Sequence, residues 1–214
     1  DKFLAGNYDY KANTYETNKI NLLSNPTSLY TKQPTVYYGL MYLAKNAKKE
    51  VKIHTPYIIC NDYMYKELKN IKVPTTIMTN SAENNGNIFG AVDYLNHKKD
   101  IINTGVTIKE YEGGISYHGK SMTIDDDIAI VGSFNMDMRS AYIDTELMLV
   151  INSKDINKQL KASMAEYEKK AATVKNETEY SHIPEGMKMK ELSDKKKNIK
   201  EWFGWAMNGL RFLF

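Results

Sequence analysis

Short apolar, β-prone runs alternate with stretches of helical period along the first half of this chain, and that alternation limits the fold more than anything else. Residues 20–23, 51–55, 75–79 and 106–111 read as strands. Between them, residues 35–48 place Val36, Leu40, Leu43, Ala44 and Ala47 three and four apart, as one face of a helix requires. Pro34 stands just before that stretch, a good helix start. Residues 61–70 and 89–103 read as further helices. After residue 111 the pattern changes to clustered strands at 117–124, 128–131 and 145–151, then one long helix over 155–174 with Ser153 as its N-cap. Strands separated by helices, followed by strands in succession, predict an α/β fold: a mixed sheet with helices on both faces.

Charge divides the chain differently. The net charge is +3, but residues 181–214 hold seven Lys or Arg against four Asp or Glu, so the tail carries the whole excess. The domain before it is balanced, which gives no support to a broad nucleic-acid-binding face. Residues 1–180 are read as one catalytic lobe and 181–214 as a basic amphipathic tail. In that tail Ile199, Trp202, Phe203, Ala206, Met207, Leu210, Leu213 and Phe214 follow a three-and-four spacing, suited to docking on a partner or to lying in a membrane interface. The single cysteine, Cys60, excludes an intrachain disulfide and a cysteine-based zinc cluster, and no apolar run is long enough to span a bilayer.

Chemistry concentrates in residues 117–140, YHGKSMTIDDDIAIVGSFNMDMRS. If 117–124 is a strand, His118 and Lys120 share a face. One offers a ring nitrogen and the other a fixed positive charge; Asn135 adds an uncharged amide donor. Such a set suits a tetrahedral anion, above all a phosphoryl group: lysine and amide stabilise its oxygens while the histidine attacks phosphorus. Glu146 could hydrogen-bond the far nitrogen of His118 and raise its basicity. Thr79, Asn80 and Ser81 end a strand, where open α/β sheets place ligands, and Arg139 could contact phosphate. His54 reads as a strand histidine facing a polar pocket or solvent.

HxKxxxxD followed by GSxN resembles the phospholipase D superfamily, with His118, Lys120 and Asp125 in the first part and Gly132, Ser133 and Asn135 in the second. Thr55 to Tyr57, Thr79 to Ser81 and the run from Asn135 to Glu146 are similar to bacterial cardiolipin synthase-like members. The resemblance covers roughly residues 20–151 and implies a phospholipase D-like lobe. It implies phosphatidyl transfer or phosphodiester hydrolysis on phospholipids, through a phosphohistidine and with neither metal nor cofactor. His118, Lys120, Asn135 and Glu146 become the catalytic set. Asp125 and Ser133 support the motif, and Tyr117 stands in the pocket wall, where many relatives carry an apolar residue.

Family members usually carry two such motifs. This chain has one, since the His97, Lys98, Lys99 run meets Thr104 where the aspartate should stand. The implied partners are therefore phospholipid, a membrane surface of a bacterial cell, and a second HxKxxxxD lobe, upstream in a longer chain or in a homodimer; no nucleic acid is expected. As the second histidine of a pair, His118 would be the general acid. The strand-cluster face near it should be apolar, since the other lobe would cover it. A one-motif endonuclease acting as a homodimer, and a non-catalytic half-lobe, are the alternatives.

Overall fold

A computed structural model describes residues 6, 9–12, 14–28, 30, 32–203 and 209–213, without the side chain of Phe203. In order they form β1 (Lys19–Ser24), α1 (Thr35–Lys45), β2 (Val51–His54), β3 (Ile58–Ile59), α2 (Asp62–Lys69), β4 (Thr75–Asn80), α3 (Ile88–Asn103) and β5 (Thr107–Tyr111). Then come β6 (Ser121–Ile124), β7 (Ile128–Gly132), β8 (Met136–Asp137), α4 (Met138–Tyr142), β9 (Leu147–Asn152), α5 (Lys154–Glu168), β10 (Ala171–Val174), β11 (Tyr180–His182) and α6 (Asp194–Phe203). A 3-10 turn at Arg211–Leu213 follows.

Nine of these strands make one mixed sheet in the order β1-β9-β7-β6-β2-β4-β5-β10-β11. The pairs β2 with β4 and β4 with β5 are parallel, and the other neighbours are antiparallel. One face carries Ile53, Ile77, Ile108, Met122, Ile130 and Val150, all in the main core with Leu40, Met41, Met64, Leu68 and Ile101 from α1, α2 and α3. α5 packs on the opposite face, against β5, β6, β7 and β10. The expected α/β sandwich is thus observed, and the helices start where side chains can satisfy their free N–H groups. Asn61 accepts from Met64 N ahead of α2, and Asn87 accepts from Phe89 N and Gly90 N ahead of α3.

Three local expectations are corrected. The helix read over 155–174 ends at Glu168, and Ala171–Val174 leaves it as β10, with Ala171 opposite Tyr111 of β5. Ser153 occupies the N-cap position of α5 without capping it; its hydroxyl donates to Glu16 O at 2.6 Å. Residues 117–120 are not strand, since β6 begins only at Ser121.

The tail is seated on the lobe. α6 lies against α3, and the buried Lys196 reaches the loop after β4. Arg211 donates to the Asp93 carboxylate at 2.6 Å and to Cys60 O at 2.8 Å. Trp202 is 75% exposed, while Ala206, Met207, Phe214 and the Phe203 side chain of the expected stripe lie outside the described residues. Ile20, Leu22, Leu147 and Leu149 are exposed on β1 and β9, on the face of the sheet that carries Val131.

Candidate functional site

The segment 117–120 is held in place by a side chain doing the work of a strand. The fully buried Asn80, at the end of β4, accepts from Tyr117 N at 2.8 Å and donates to Tyr117 O at 2.9 Å. Tyr117 then packs edge-on against His54, Tyr111 and Tyr167, with ring centroids 5.6, 5.9 and 4.9 Å away. On the other side, Gly132 N donates to Lys120 O at 3.3 Å, so the His-Lys segment and the GSxN segment leave the sheet side by side. Gly132 is a glycine for want of room: a Cβ there would sit 2.1 Å from Leu147 O.

His118 and Lys120 meet although they are not in a strand. The Lys120 ammonium lies 2.9 Å from His118 Nδ1 and 3.3 Å from Nε2, and donates to His118 O at 2.8 Å. A ring nitrogen can accept from an ammonium only as neutral imidazole. Burial, and then Lys120, hold the His118 pKa below its ordinary value. Burial likewise lowers Lys120, against the pull of the Glu146 and Asp137 carboxylates. The pair borders a cavity of about 630 Å3 walled by Tyr111, Tyr117, Leu160, Met164 and Tyr167.

Glu146 is placed otherwise than expected. Its carboxylate accepts from Ser133 Oγ and, at 2.9 Å, from Ser140 Oγ, and makes no hydrogen bond to His118. Ser140 also accepts from Asn135 N and Asn135 Nδ2, each at 3.3 Å. Ser133, Asn135 and Glu146 therefore form one cluster around Ser140, distinct from the His118–Lys120 contact. Asn135 Oδ1 is buried with no hydrogen-bond partner.

The other candidates serve the frame. Asp125 has φ 51°, and its carboxylate accepts from the backbone N–H groups of Lys48, Lys49 and Glu50. Those bonds outweigh burial and hold its pKa low. Thr79, Asn80 and Ser81 do not line the open site: they are buried, and their side chains bond to Pro56 O, the Tyr117 backbone and Glu112. Arg139 pairs with Asp144 at 3.0 Å and donates to Leu213 O at 3.3 Å. His54 is 1% exposed, with Nε2 3.3 Å from Glu168 Oε1, so it faces an ion cluster and not solvent.

Three neighbours of the site escaped sequence reasoning. The Tyr57 ring stands 6.2 Å from that of His118, edge to face. Ser140 is the hub just described. Asp137 accepts from Ser140 N at 2.6 Å as the N-cap of α4, and burial raises its pKa to about 6. An aspartate just ahead of the 138–142 helix is a readable cap signal; the hub is not readable, because it depends on β7 and β9 converging. Among the described residues no three His, Cys, Asp or Glu side chains cluster as metal ligands would.

Comparison with known proteins adds the following. The family model described as the phospholipase D-like domain of cardiolipin synthase matches residues 40–167. Cardiolipin synthase 1 of Staphylococcus epidermidis is 29% identical over 159 residues, which is 73% of this chain and 32% of that protein. The chain thus spans about a third of the length of that relative. Phosphatidylserine synthase of Haemophilus influenzae superimposes with a TM-score of 0.67 at 15% identity, over 91% of this chain and 48% of that one. Nuc of Salmonella typhimurium, a phospholipase D family member, does so with a TM-score of 0.58 at 16% identity, over 73% of this chain and 97% of that one. At such identities the two structures speak for the fold alone.

Proposed function

Because this chain belongs to the family of cardiolipin synthase phospholipase D-like domains, we propose that it performs phosphoryl transfer on phospholipids, with His118 as the attacking group. The observation that carries the reading is the Lys120 ammonium 2.9 Å from His118 Nδ1. It disfavours ring protonation, which suits a nucleophile, and it stands where a developing phosphoryl charge needs a cation. Position in a motif pair points to a general acid instead; the lysine contact is the reason to prefer attack.

In this reading a neutral ring nitrogen of His118 bonds to the phosphorus of a phosphodiester. The bond from phosphorus to the alcohol oxygen breaks, and the alcohol leaves with a proton from an acid on a second lobe. Water or a second alcohol then attacks the phosphohistidine and restores His118. Lys120 neutralises charge on the phosphoryl oxygens, and Asn135, whose Nδ2 spends one N–H on Ser140 Oγ, has a second N–H to donate to them. The apolar, aromatic cavity beside the pair favours a lipid over a polyanionic strand, since Lys120 is the only cation among its lining residues. The site would work at the surface of a bacterial membrane; none of the described helices is long and apolar enough to cross one.

Trapping tests this. The chain, alone or joined to a second lobe, is mixed with phosphatidylglycerol vesicles labelled at phosphorus and denatured in alkali, which spares phosphohistidine. Label is expected on the peptide containing His118 and absent in His118→Asn. Label confined to another histidine would return His118 to the acid role, and turnover of DNA in preference to lipid would overturn the substrate assignment.

A further inference from the structure

The tail was expected to serve a membrane or a partner, yet its buried lysine reaches the loop that holds the segment before His118. Lys196 of α6 is 7% exposed. Its ammonium donates to Ala82 O at 2.8 Å, Glu83 O at 2.6 Å and Asn85 O at 3.0 Å. All three donors of the ammonium are thus spent on the carbonyls of one loop, the loop that follows β4. Ser193 N adds a bond to Glu83 Oε2 at 2.9 Å. A cation withdrawn from water is retained only where such a cage replaces its hydration, so this contact fixes the loop firmly.

The same loop holds the histidine segment. Asn84 Nδ2 donates to Asn80 Oδ1 and to Ile115 O, both at 3.2 Å. Gly86 N donates to Ser116 Oγ at 3.1 Å. Asn80 closes on both backbone groups of Tyr117, the residue before His118. The tail is therefore linked to the backbone that carries the ring in three steps: hydrogen bonds from Lys196 to the carbonyls of Ala82, Glu83 and Asn85, the covalent backbone that sets Asn84 between them, and hydrogen bonds from Asn84 to Asn80 and from Asn80 to Tyr117. Without Asn80 the segment 117–120 has no strand partner on that side, because β6 begins only at Ser121.

We propose that Lys196 and Asn80 are positioning residues for His118: the C-terminal tail is a buttress of the reaction centre, acting through the 82–86 loop. This rests on the reading of His118 as the reacting group, but the geometric link can be tested apart from it.

The test is Lys196→Met, which keeps an unbranched side chain one atom shorter and removes the charge. Turnover of a soluble phosphodiester, bis(p-nitrophenyl) phosphate, is measured beside the imidazole NMR resonances of His118, identified by their loss in His118→Asn. The kcat is expected to fall about ten- to a hundredfold, as for a small displacement of a reacting group. KM should stay within about twofold, the His118 resonances should shift, and Lys196→Arg should recover part of both. A merely structural lysine would lower the melting temperature and leave the resonances of the folded protein in place. Unchanged kcat with unmoved resonances overturns the proposal. Should Lys196→Met unfold, Asn84→Leu cuts the same link while leaving the tail seated, and an unshifted His118 in folded Asn84→Leu overturns it equally. If the wild-type chain, joined to a second lobe, turns over no phosphodiester but the resonances still move, the functional reading fails and the buttress stands.

Discussion

His54 and His118 lie one tyrosine apart, and only one of them is equipped to react. Tyr117 packs on the His54 ring at 5.6 Å and precedes His118 in sequence. His54 is paired with Glu168, whose carboxylate also holds Lys109 at 2.6 Å and Lys52 at 3.8 Å. A histidine on a buried carboxylate has the outline of a catalytic dyad, but this one sits under α5 and is closed to solvent. His118 has the opposite company: an ammonium, an open side and a cavity. Burial lowers the pKa of both rings. What separates them is access and the sign of the neighbour, so a carboxylate partner alone is a poor guide to function.

The sharpest way to break this contrast is to remove each ring. His118→Ala should abolish measurable turnover while the melting temperature stays within about 2 °C, because an exposed side chain contributes little to packing. His54→Gln should do the reverse, lowering stability and leaving the folded enzyme active on the same soluble phosphodiester. A folded but inactive His54→Gln would erase the distinction.

Lys120→Met should cost about two to four orders of magnitude in kcat, as for other lost charge-stabilising donors. It should also move the acid limb of kcat/KM. In the wild type that limb lies below the ordinary histidine range, since the His118 pKa is lowered by burial and by Lys120. Without the ammonium the ring keeps its proton to higher pH, so the limb shifts upward. A shift downward, or none, would show that the titrating group is not His118.

The smallest effect concerns the closed histidine. The bonds from His54 and Lys109 outweigh burial and hold the Glu168 pKa at about 2, from 4.5. A depressed carboxylate contributes stability that is complete above the unfolded value and is lost as pH falls through the folded one. The window is therefore about pH 4.5 down to about 2, and the contribution at neutral pH, reduced by solvent screening of the partly open carboxylate, is on the order of 1 kcal/mol. Glu168→Gln should be less stable by that order at pH 7 and flatter across the window, read from urea midpoints. Equal slopes in both proteins would remove the cluster from the account.

Much of this could be read from local signals. The alternation up to residue 111 gave the sheet and its helices because each element has its own period there. The reactive pair was visible as residue types at a fixed spacing. Its geometry was not: 117–120 reads as strand, but Asn80 supplies from 37 residues away the bonds that a neighbouring strand would have made. Ala171–Val174 continued a helical period and became β10 because Tyr111 and Glu110 of β5 were free to pair with it. Glu146 went to Ser133 and Ser140, an arrangement set by the meeting of two strand ends. In each case a long-range partner decided between two locally acceptable outcomes.

The Asp125 turn bears on how the motif is read in experiments. Its backbone lies in the left-handed region, and its carboxylate gathers three N–H groups from the connection between α1 and β2. Asp125→Ala would forfeit those acceptors, and glycine would relieve the backbone while forfeiting them too. Either change would silence an assay through misassembly with every reacting atom still encoded. A mutational screen scored by turnover alone would rank this residue beside His118; scored by abundance, it would rank the two far apart.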